Sequence, residues 1–457
     1  MFYWVVRRAA ATARAALGRR VTVAAAALLS ACAVGPDYRP PETPPAEFVR
    51  AGAAELAAEP FEAAWWEQFR DPVLSDLVAR ALSADLDLRV AAARVTEARA
   101  LLGGAERERW PLAAAEVVRD ERKAQQPGFT DQRIDAESYQ AGITTLWELD
   151  LFGRVRRGVE AAAAEADAAE ADLHDAQVLV AAEVASTYLE LRGAQKRLDV
   201  ARANLGSQRE TLELTRVRLD LGRGSELDVA SAAARFAAIE ASIPPLVALE
   251  AITAHRLAVL IGERPGALEA ELVRRELPSQ LTTIAVGSPE ALLKRRPDIR
   301  AAERELAAAT ARIGVAKADL FPQLTAGGFI GFIAGDADEL GESTSRAWSI
   351  TPVLSWAGLD GGRARLAAAE ARVDGALAVY ERTVLLALEE TENAFVTYGQ
   401  NRRRLVAVVE QATASQRAAE LARVQYREGA LDFLRLLDAE RTVLEAEDAV
   451  AVAETDL

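Results

Sequence analysis

Carboxylates surround two glycine turns in this chain, and carboxylates at such density can attract cations. The first turn contains Asp220, Gly222, Gly224, Glu226 and Asp228, and the second contains Glu428, Gly429 and Asp432. Repeated around a narrow entrance, rings of carboxylates favour cations and could bind divalent ions. The alternative is that these residues are solvated acids at helix ends.

Conventional catalysis is not indicated by the sequence. His174 and His255 lie in predicted helices, and neither has a partner at metal-binding spacing or a nearby nucleophile. Gly222 and Gly224 punctuate a turn and lack the strand and lysine of a phosphate-binding loop. We therefore predict no enzyme activity, no metal site and no cofactor. The net charge of −15 argues against nucleic acid, which is bound through cationic contacts.

The elements that position these residues occur twice. Four residues recur 211 positions later: Asp87, Leu88, Arg89 and Pro111 correspond to Asp298, Ile299, Arg300 and Pro322. Four more recur 209 positions later: Trp147, Gly153, Arg154 and Arg156 correspond to Trp356, Gly362, Arg363 and Arg365. Gly222 recurs 207 positions later as Gly429. A drifting but locally constant offset indicates a tandem duplication. Ordinary repeats have periods of roughly 20–50 residues, so these are two large halves of one object.

Long helices are predicted in both halves. Proline is absent between Pro127 and Pro244 and after Pro352, and proline is the strongest helix breaker. Residues 153–221 predict one helix of about 100 Å, a length typical of coiled-coil packing. A further helix is predicted from Asp71-Pro72 to about Arg109, and another begins at Ser288-Pro289. A third begins at Ser225, with Asp228 as its capping-box partner. It ends near Pro244-Pro245 or continues in broken form to Ile261.

Period-two alternation predicts a β-hairpin in each half. Residues 139–149 and 348–356 place bulky apolar side chains on one face and are long enough to cross a bilayer. Weaker partner strands are predicted at 112–119 and 323–333, with polar loops at 122–137 and 335–345. Trp147 and Trp356 end the apolar faces, as expected of an interfacial aromatic girdle. A soluble hairpin with one buried face is the alternative.

Four strands cannot close a membrane barrel within one chain. An open edge in hydrocarbon would leave backbone groups without partners, and membrane barrels start at about eight strands. The barrel must therefore be shared between chains. Two copies would give an interior filled by side chains, so a conduit favours three copies.

The N-terminus has the features of a bacterial lipoprotein. Five arginines precede a short apolar stretch, and Leu29-Ser30-Ala31-Cys32 resembles a lipobox. We predict a signal peptide at 1–31 and diacylglycerol and palmitate on Cys32; a buried free cysteine is the alternative. Ala33 fits sorting to the outer membrane. Removal of the signal would change the net charge from −15 to −20, and no later segment is expected to span a membrane as a helix.

Five motifs in order make the chain recognisable from Cys32 onward. They are Cys32 to Pro40, Trp65-Trp66 with Phe69, Asp71, Pro72 and Leu74, Trp147 to Arg154, Leu293 to Ile299, and Phe321-Pro322. Together they resemble the TolC-like outer-membrane factors, specifically the lipoprotein (NodT) branch that serves drug-efflux pumps of the resistance-nodulation-division type.

The resemblance implies a mixed α and β membrane protein built from two tandem repeats. It would be a homotrimer whose outer-membrane β-barrel, with four strands from each chain, continues as a long periplasmic α-helical barrel. The implied segments are a lipidated arm at 32–70, a first repeat at 71–261, an equatorial connector at 262–288 and a second repeat at 289–457. The family continues beyond the last helix, whereas this sequence stops at Leu457. Either the chain is truncated there or its final segment is missing from the sequence, and in the first case we expect a weaker C-terminal part of the belt around the tunnel.

The implied function is a passive conduit for drugs or other small molecules. An inner-membrane pump would feed it through a periplasmic adaptor, which meets the turns at Gly222 and Gly429. In the family these tips close the tunnel at rest, so loss of a tip carboxylate, as in Asp228→Ala, is expected to raise conductance. Ducts for type I protein secretion or metal-ion efflux share the architecture. A lipid-anchored coiled-coil scaffold without a pore is a further alternative, and a lipoprotein enzyme is a remote one.

Overall fold

Two halves repeat the same order of elements in the computed structural model, which describes residues 33–41, 63–125, 133–278, 289–356 and 359–457. The first half contains α1 (Pro72–Ala84), α2 (Leu86–Arg107), β1 (Leu112–Gln125), β2 (Arg133–Leu149), α3 (Arg154–Asp220) and α4 (Glu226–Leu260). The second contains α5 (Pro289–Arg295), α6 (Pro297–Ala318), β3 (Gln323–Ala334), β4 (Arg346–Ser355), α7 (Leu359–Arg427) and α8 (Phe433–Asp456). The predicted duplication is confirmed.

The chain divides into two compact units. The sheet unit consists of the described residues within 33–41, 93–171 and 298–383, and the helical unit consists of those within 63–92, 172–297 and 384–457. Each unit takes segments from both halves, so the segments of the two units alternate along the chain.

The four strands form one antiparallel sheet in the order β1-β2-β3-β4. The halves meet where β2 pairs with β3, with Gly142 opposite Gly331 and Ile143 opposite Ile330. Within the described part of the chain, β1 and β4 are edges with a partner strand on one side only. Such edges carry a row of unpaired backbone groups.

β1 and β2 are longer than the sequence predicts, so the predicted polar loop at 122–137 is too long at both ends, and its middle, residues 126–132, lies outside the described residues. Pairing continues as far as Gln125 opposite Arg133. Arg119 contacts Glu137 at 2.8 Å and Lys123 contacts Asp135 at 3.1 Å across the strands. Opposite charges on neighbouring strands stabilise a sheet, so residues with the composition of a loop extend the hairpin. The predicted loop at 335–345 is confirmed and contains two short 3₁₀ turns.

The single helix predicted over 71–109 is wrong, because it is broken into α1 and α2. Asp71 caps α1 as predicted. Asp85 then leaves the helical conformation, and its carboxylate accepts hydrogen bonds from the backbone N–H groups of Asp87 at 2.8 Å and Leu88 at 3.0 Å. A short acceptor side chain competes with helical hydrogen bonding in this way. Asp85 therefore ends one helix and starts the next.

The predicted long helix is confirmed, since α3 has 67 residues and a length of about 100 Å. Helix α4 continues through Pro244 and Pro245, which supports the longer of its two predicted courses. By length and composition α4 could also cross a membrane, contrary to our expectation for segments after the signal. Core helices can have the same length and composition, but most of the apolar stretch of α4 is not buried within the single chain; Leu257 and Leu260, near its end, pack in the core of the helical unit.

This core collects residues from α1, α3 and α4. Four α1 side chains are fully buried: Leu74, Leu77, Val78 and Ala81. Tyr188 of α3 packs against them and donates a hydrogen bond to Asp71 at 2.6 Å. Burial, together with this hydrogen bond, raises the pKa of Tyr188 to about 12. Leu268 and Leu272 bring the described part of the connector into the same core.

Candidate functional site

The two faces of the sheet differ in chemistry. Direct cross-strand partners share a face, so the strand register sorts the side chains. The apolar face carries Ile143, Ile330, Trp348, Ile350 and Leu354, all of them exposed. The polar face carries Gln140, Thr144, Glu148, Thr325, Ser349 and Thr351. One face suits lipid and the other suits water, which is the alternation of a membrane barrel wall.

Trp147 and Trp356 have equivalent places at one end of the sheet. The indole N–H of Trp147 donates to the carbonyl of Arg109 at 3.1 Å, and that of Trp356 donates to the carbonyl of Leu320 at 3.2 Å. The two acceptors are themselves related by the offset of 211. An aromatic ring with its polar end satisfied suits a membrane interface. The girdle role stays a prediction.

The arm, residues 33–41, lies in a groove built around glycines of the sheet unit. The N–H of Val34 donates to the carbonyl of Phe152 at 3.0 Å. A Cβ at Gly35 would lie 2.5 Å from the Cα of Gly314, and a Cβ at Gly153 would collide with the arm. Gly35 and Gly153 also have φ values of +104° and +87°, which favour glycine. The groove therefore exists because side chains are missing there.

Polar contacts hold the remainder of the arm. Asp37 pairs at 2.7 Å with Arg157, which is only 6% exposed. Tyr38 donates a hydrogen bond to the carboxylate of Glu303, and burial together with this bond raises the pKa of Tyr38, so the phenol stays protonated. Cys32 lies outside the described residues, so its lipidation stays a prediction.

Alanine at Gly35 is expected to release the arm. The added methyl group would meet the backbone of Gly314, and a positive φ costs an L-residue about 1–2 kcal/mol. Cleavage after Tyr38 by chymotrypsin measures the release and should become faster. Gly104→Ala in α2 is the control, because a Cβ there has no neighbour within 4 Å. Equal cleavage of the two variants would contradict the docking of the arm.

The two glycine turns end α3 and α7 with the same geometry. Gly222 and Gly429 have φ values of +68° and +77°. The N–H of Gly222 donates to the carbonyl three residues earlier at 2.9 Å, and that of Arg223 donates to the carbonyl five residues earlier at 2.7 Å. The corresponding bonds of Gly429 and Ala430 are 3.1 and 2.8 Å long. Both turns are thus Schellman motifs, which need glycine at this position.

Two of the five predicted gate acids take part in capping a helix, Asp228 as the capping-box partner of Ser225 and Asp432 as an N-cap. Asp228 forms the predicted capping box, accepting from the N–H of Ser225 at 2.9 Å while Ser225 Oγ accepts from the N–H of Asp228 at 3.2 Å. Asp432 caps α8 by accepting from the N–H of Arg435 at 3.0 Å. The other three acids are exposed on the helical unit: Asp220, Glu226 and Glu428. A gating role for any of the five stays a prediction.

The acids of one chain do not form a metal site by themselves. In the described ranges, no group of three or more His, Cys, Asp or Glu residues is arranged to hold a metal ion. His174 lies in α3 and His255 in α4, as predicted. A divalent ion at the tips would need acids from more than one chain.

The cap and the charge of Asp228 can be separated by two substitutions. Asp228→Asn keeps an oxygen acceptor for the N–H of Ser225, whereas Asp228→Ala removes this half of the capping box at a cost of about 1 kcal/mol, and Ser225 still caps α4. We expect both variants to raise the resting current in planar bilayers, because both remove a carboxylate. Only Asp228→Ala should lower the melting temperature. A wild-type resting current in both variants would show that this carboxylate does not hold the gate.

A contact that the sequence analysis missed joins the two turns. Arg218, at the end of α3, donates to the backbone carbonyl of Tyr426 at 2.6 Å, and its guanidinium lies 4.3 Å from the centroid of that ring. Tyr426 is 4% exposed and packs on Phe433 with ring centroids 5.7 Å apart. Burial raises the pKa of Tyr426, so its phenol stays neutral. We call the pair Arg218 and Tyr426 the tip latch. The repeat offset of 207 makes Tyr426 the counterpart of Leu219, which is next to Arg218. This correspondence is the sequence signal that could have predicted a contact between the two turns.

The chain matches known proteins over most of its length. The family model described as outer membrane efflux protein matches residues 77–263 and 288–457. Nodulation protein T of Rhizobium leguminosarum bv. trifolii is 34% identical over 433 residues, which are 93% of this chain and 91% of that protein. Outer membrane protein OprJ of Pseudomonas aeruginosa is 33% identical over 91% of this chain and 88% of its own length.

A solved structure of the outer-membrane channel OprN has the same fold. It is 50% identical, has a TM-score of 0.90 and covers 93% of this chain and 96% of its own. These matches confirm the predicted resemblance and the predicted fold class of four strands and long helices in two tandem repeats. They favour a channel over a scaffold without a pore. The chain belongs to the outer membrane efflux protein family and is an outer-membrane channel component of an efflux system.

Proposed function

We propose that three copies of this chain form a passive duct across the outer membrane, driven by an inner-membrane pump of the resistance-nodulation-division type. The observation that carries the proposal is the sheet, which among the described residues has two open edges and two chemically opposite faces. Open edges are not tolerated in hydrocarbon. Pairing of β1 with β4 of the next copy satisfies both edges and turns the apolar faces outward.

The number three follows from the interior of the resulting barrel. A barrel of about eight strands is filled by its own side chains. Three copies supply twelve strands and leave room for water along the polar faces. Cyclic symmetry then repeats each tip three times, which brings acids from different chains towards one axis.

A lipid on Cys32 would fasten the duct to the membrane. The arm that follows Cys32 is seated against Gly153, four residues after β2 ends. The anchor would therefore leave the protein near the end of the sheet that carries Trp147 and Trp356. Such a position supports diacylglycerol and palmitate inserted beside the barrel.

A periplasmic adaptor would bind the tips. Three leucines around the turns are exposed in the single chain: Leu221 at 66%, Leu227 at 65% and Leu434 at 58%. Exposed apolar side chains rimmed by charged ones are typical of protein–protein contacts. The acids of the two turns supply such a rim. Adaptor binding would then shift the tips towards an open state.

Native mass spectrometry and planar-bilayer recording of the full-length, lipidated protein test the proposal. We expect a trimer and single-channel currents whose size increases when the tips are opened. A monomer that conducts no current, with its hairpins outside the bilayer, would overturn the proposal.

A further inference from the structure

An aromatic side chain, Phe329, lies on the polar face of the sheet. Its direct partners across the strands are Thr144 on one side and Ser349 on the other. The next position, Ile330, is 64% exposed on the apolar face. Phe329 therefore points away from lipid, into the water-filled side of the wall in the duct proposed above.

The ring of Phe329 lies along the sheet, because two glycines leave room for it. Gly142 and Gly331 are opposite each other on the polar face. A Cβ at Gly142 would be 2.6 Å from Cε2 of Phe329, and a Cβ at Gly331 would be 2.9 Å from Cζ. The far end of the ring thus occupies the space of two missing side chains. Phe329 is half-buried, so part of the ring remains open to the interior.

The aliphatic residues of this face do not have the same chemistry. Leu146 and Ile333 also lie on the polar face and are exposed, but they have no π system. An aromatic ring attracts another ring by stacking and attracts a cation to its face. In a trimer three such rings would line one level of the lumen among hydroxyl and amide groups.

We propose that Phe329 is a binding site for planar aromatic solutes, aromatic cations in particular, inside the barrel. This rests on the proposed trimeric duct, because a polar face becomes a lumen only in a closed barrel. The ring gives a passing solute a place to stack that leaves the passage wide, since the glycines hold it close to the wall.

Equilibrium binding of ethidium, an aromatic cation, to the full-length protein in lipid nanodiscs tests this site. Phe329→Leu keeps an apolar side chain and removes the ring. Phe332→Leu is the matched control, because Phe332 lies on the same strand three residues later and on the apolar face. We expect Phe329→Leu to weaken ethidium binding about fivefold, with Phe332→Leu close to wild type.

Several outcomes would overturn the site. They are wild-type affinity in Phe329→Leu, equal losses in both variants, and no ethidium binding by the wild type. Mass measurement on the same nanodiscs separates the two proposals. A trimer with any of these outcomes removes the Phe329 site alone, whereas a monomer removes the duct and the site with it.

Discussion

Ile350→Arg is expected to prevent stable insertion of the protein into the outer membrane, whereas Thr351→Arg is expected to leave insertion intact. Ile350 is 73% exposed on the apolar face near the middle of β4. A cationic side chain facing lipid at the bilayer midplane costs about 2–4 kcal/mol in a membrane barrel. A trimer would carry three such charges, which together approach the whole stability of a typical folded protein.

Thr351 is the matched control for this experiment, since it is the adjacent residue on the opposite face, where its partner is Gly327. Arginine there would face the lumen, so we expect normal amounts of trimer and a shift of ion selectivity towards anions. Membrane fractionation and unheated gel electrophoresis measure insertion and assembly. Equal loss of trimer in both variants, or loss only in Thr351→Arg, would show that the faces are assigned wrongly.

The long helices were predictable because their signals are local. Missing prolines allow α3 and α7 to run for 67 and 69 residues, and Ser225 with Asp228 sets the start of α4 within four positions. Glycine with positive φ marks the turns. Each of these features depends only on residues that are neighbours in sequence, so the sequence alone is enough to predict it.

The errors arose where specific side-chain contacts override the local propensity of the sequence. Lys123 is of a type common in loops, but it pairs with Asp135 on the opposite strand, and this ion pair favours continuation of the strand. Asp85 looks like an ordinary helix residue in the sequence, but its carboxylate caps α2 by accepting a hydrogen bond from the N–H of Asp87. Local propensity cannot weigh such contacts.

The candidate sites likewise include some features that local sequence predicts and others that depend on tertiary contacts. The glycine turns and the caps at the tips follow from sequence spacing. The groove for the arm requires Gly35 and Gly314, which are 279 residues apart, and the place of Phe329 requires the register between β2 and β3. The pairing register of β2 with β3 cannot be predicted from the residue pattern of either strand alone, because packing of the two halves fixes it.

Arg218→Ala is expected to raise the resting current of the duct about tenfold or more. The substitution removes a hydrogen bond from a charged donor, of the order of 1.5–3 kcal/mol, and a contact between a cation and a ring. Both contacts join the end of α3 to the end of α7. Without them the two turns separate more easily, and threefold symmetry would multiply the effect at the entrance. Planar-bilayer recording at fixed voltage measures the current.

Three further variants identify which part of the tip latch matters. Arg216→Ala removes an exposed arginine two residues away on the same helix and should resemble wild type. Tyr426→Phe should also stay near wild type, because Arg218 donates to the backbone carbonyl and the ring is retained. Arg218→Lys keeps the charge but loses the planar donor fork, so its current should lie between those of wild type and Arg218→Ala. Equal currents in Arg218→Ala and Arg216→Ala would mean that the contact packs the turns without closing the entrance.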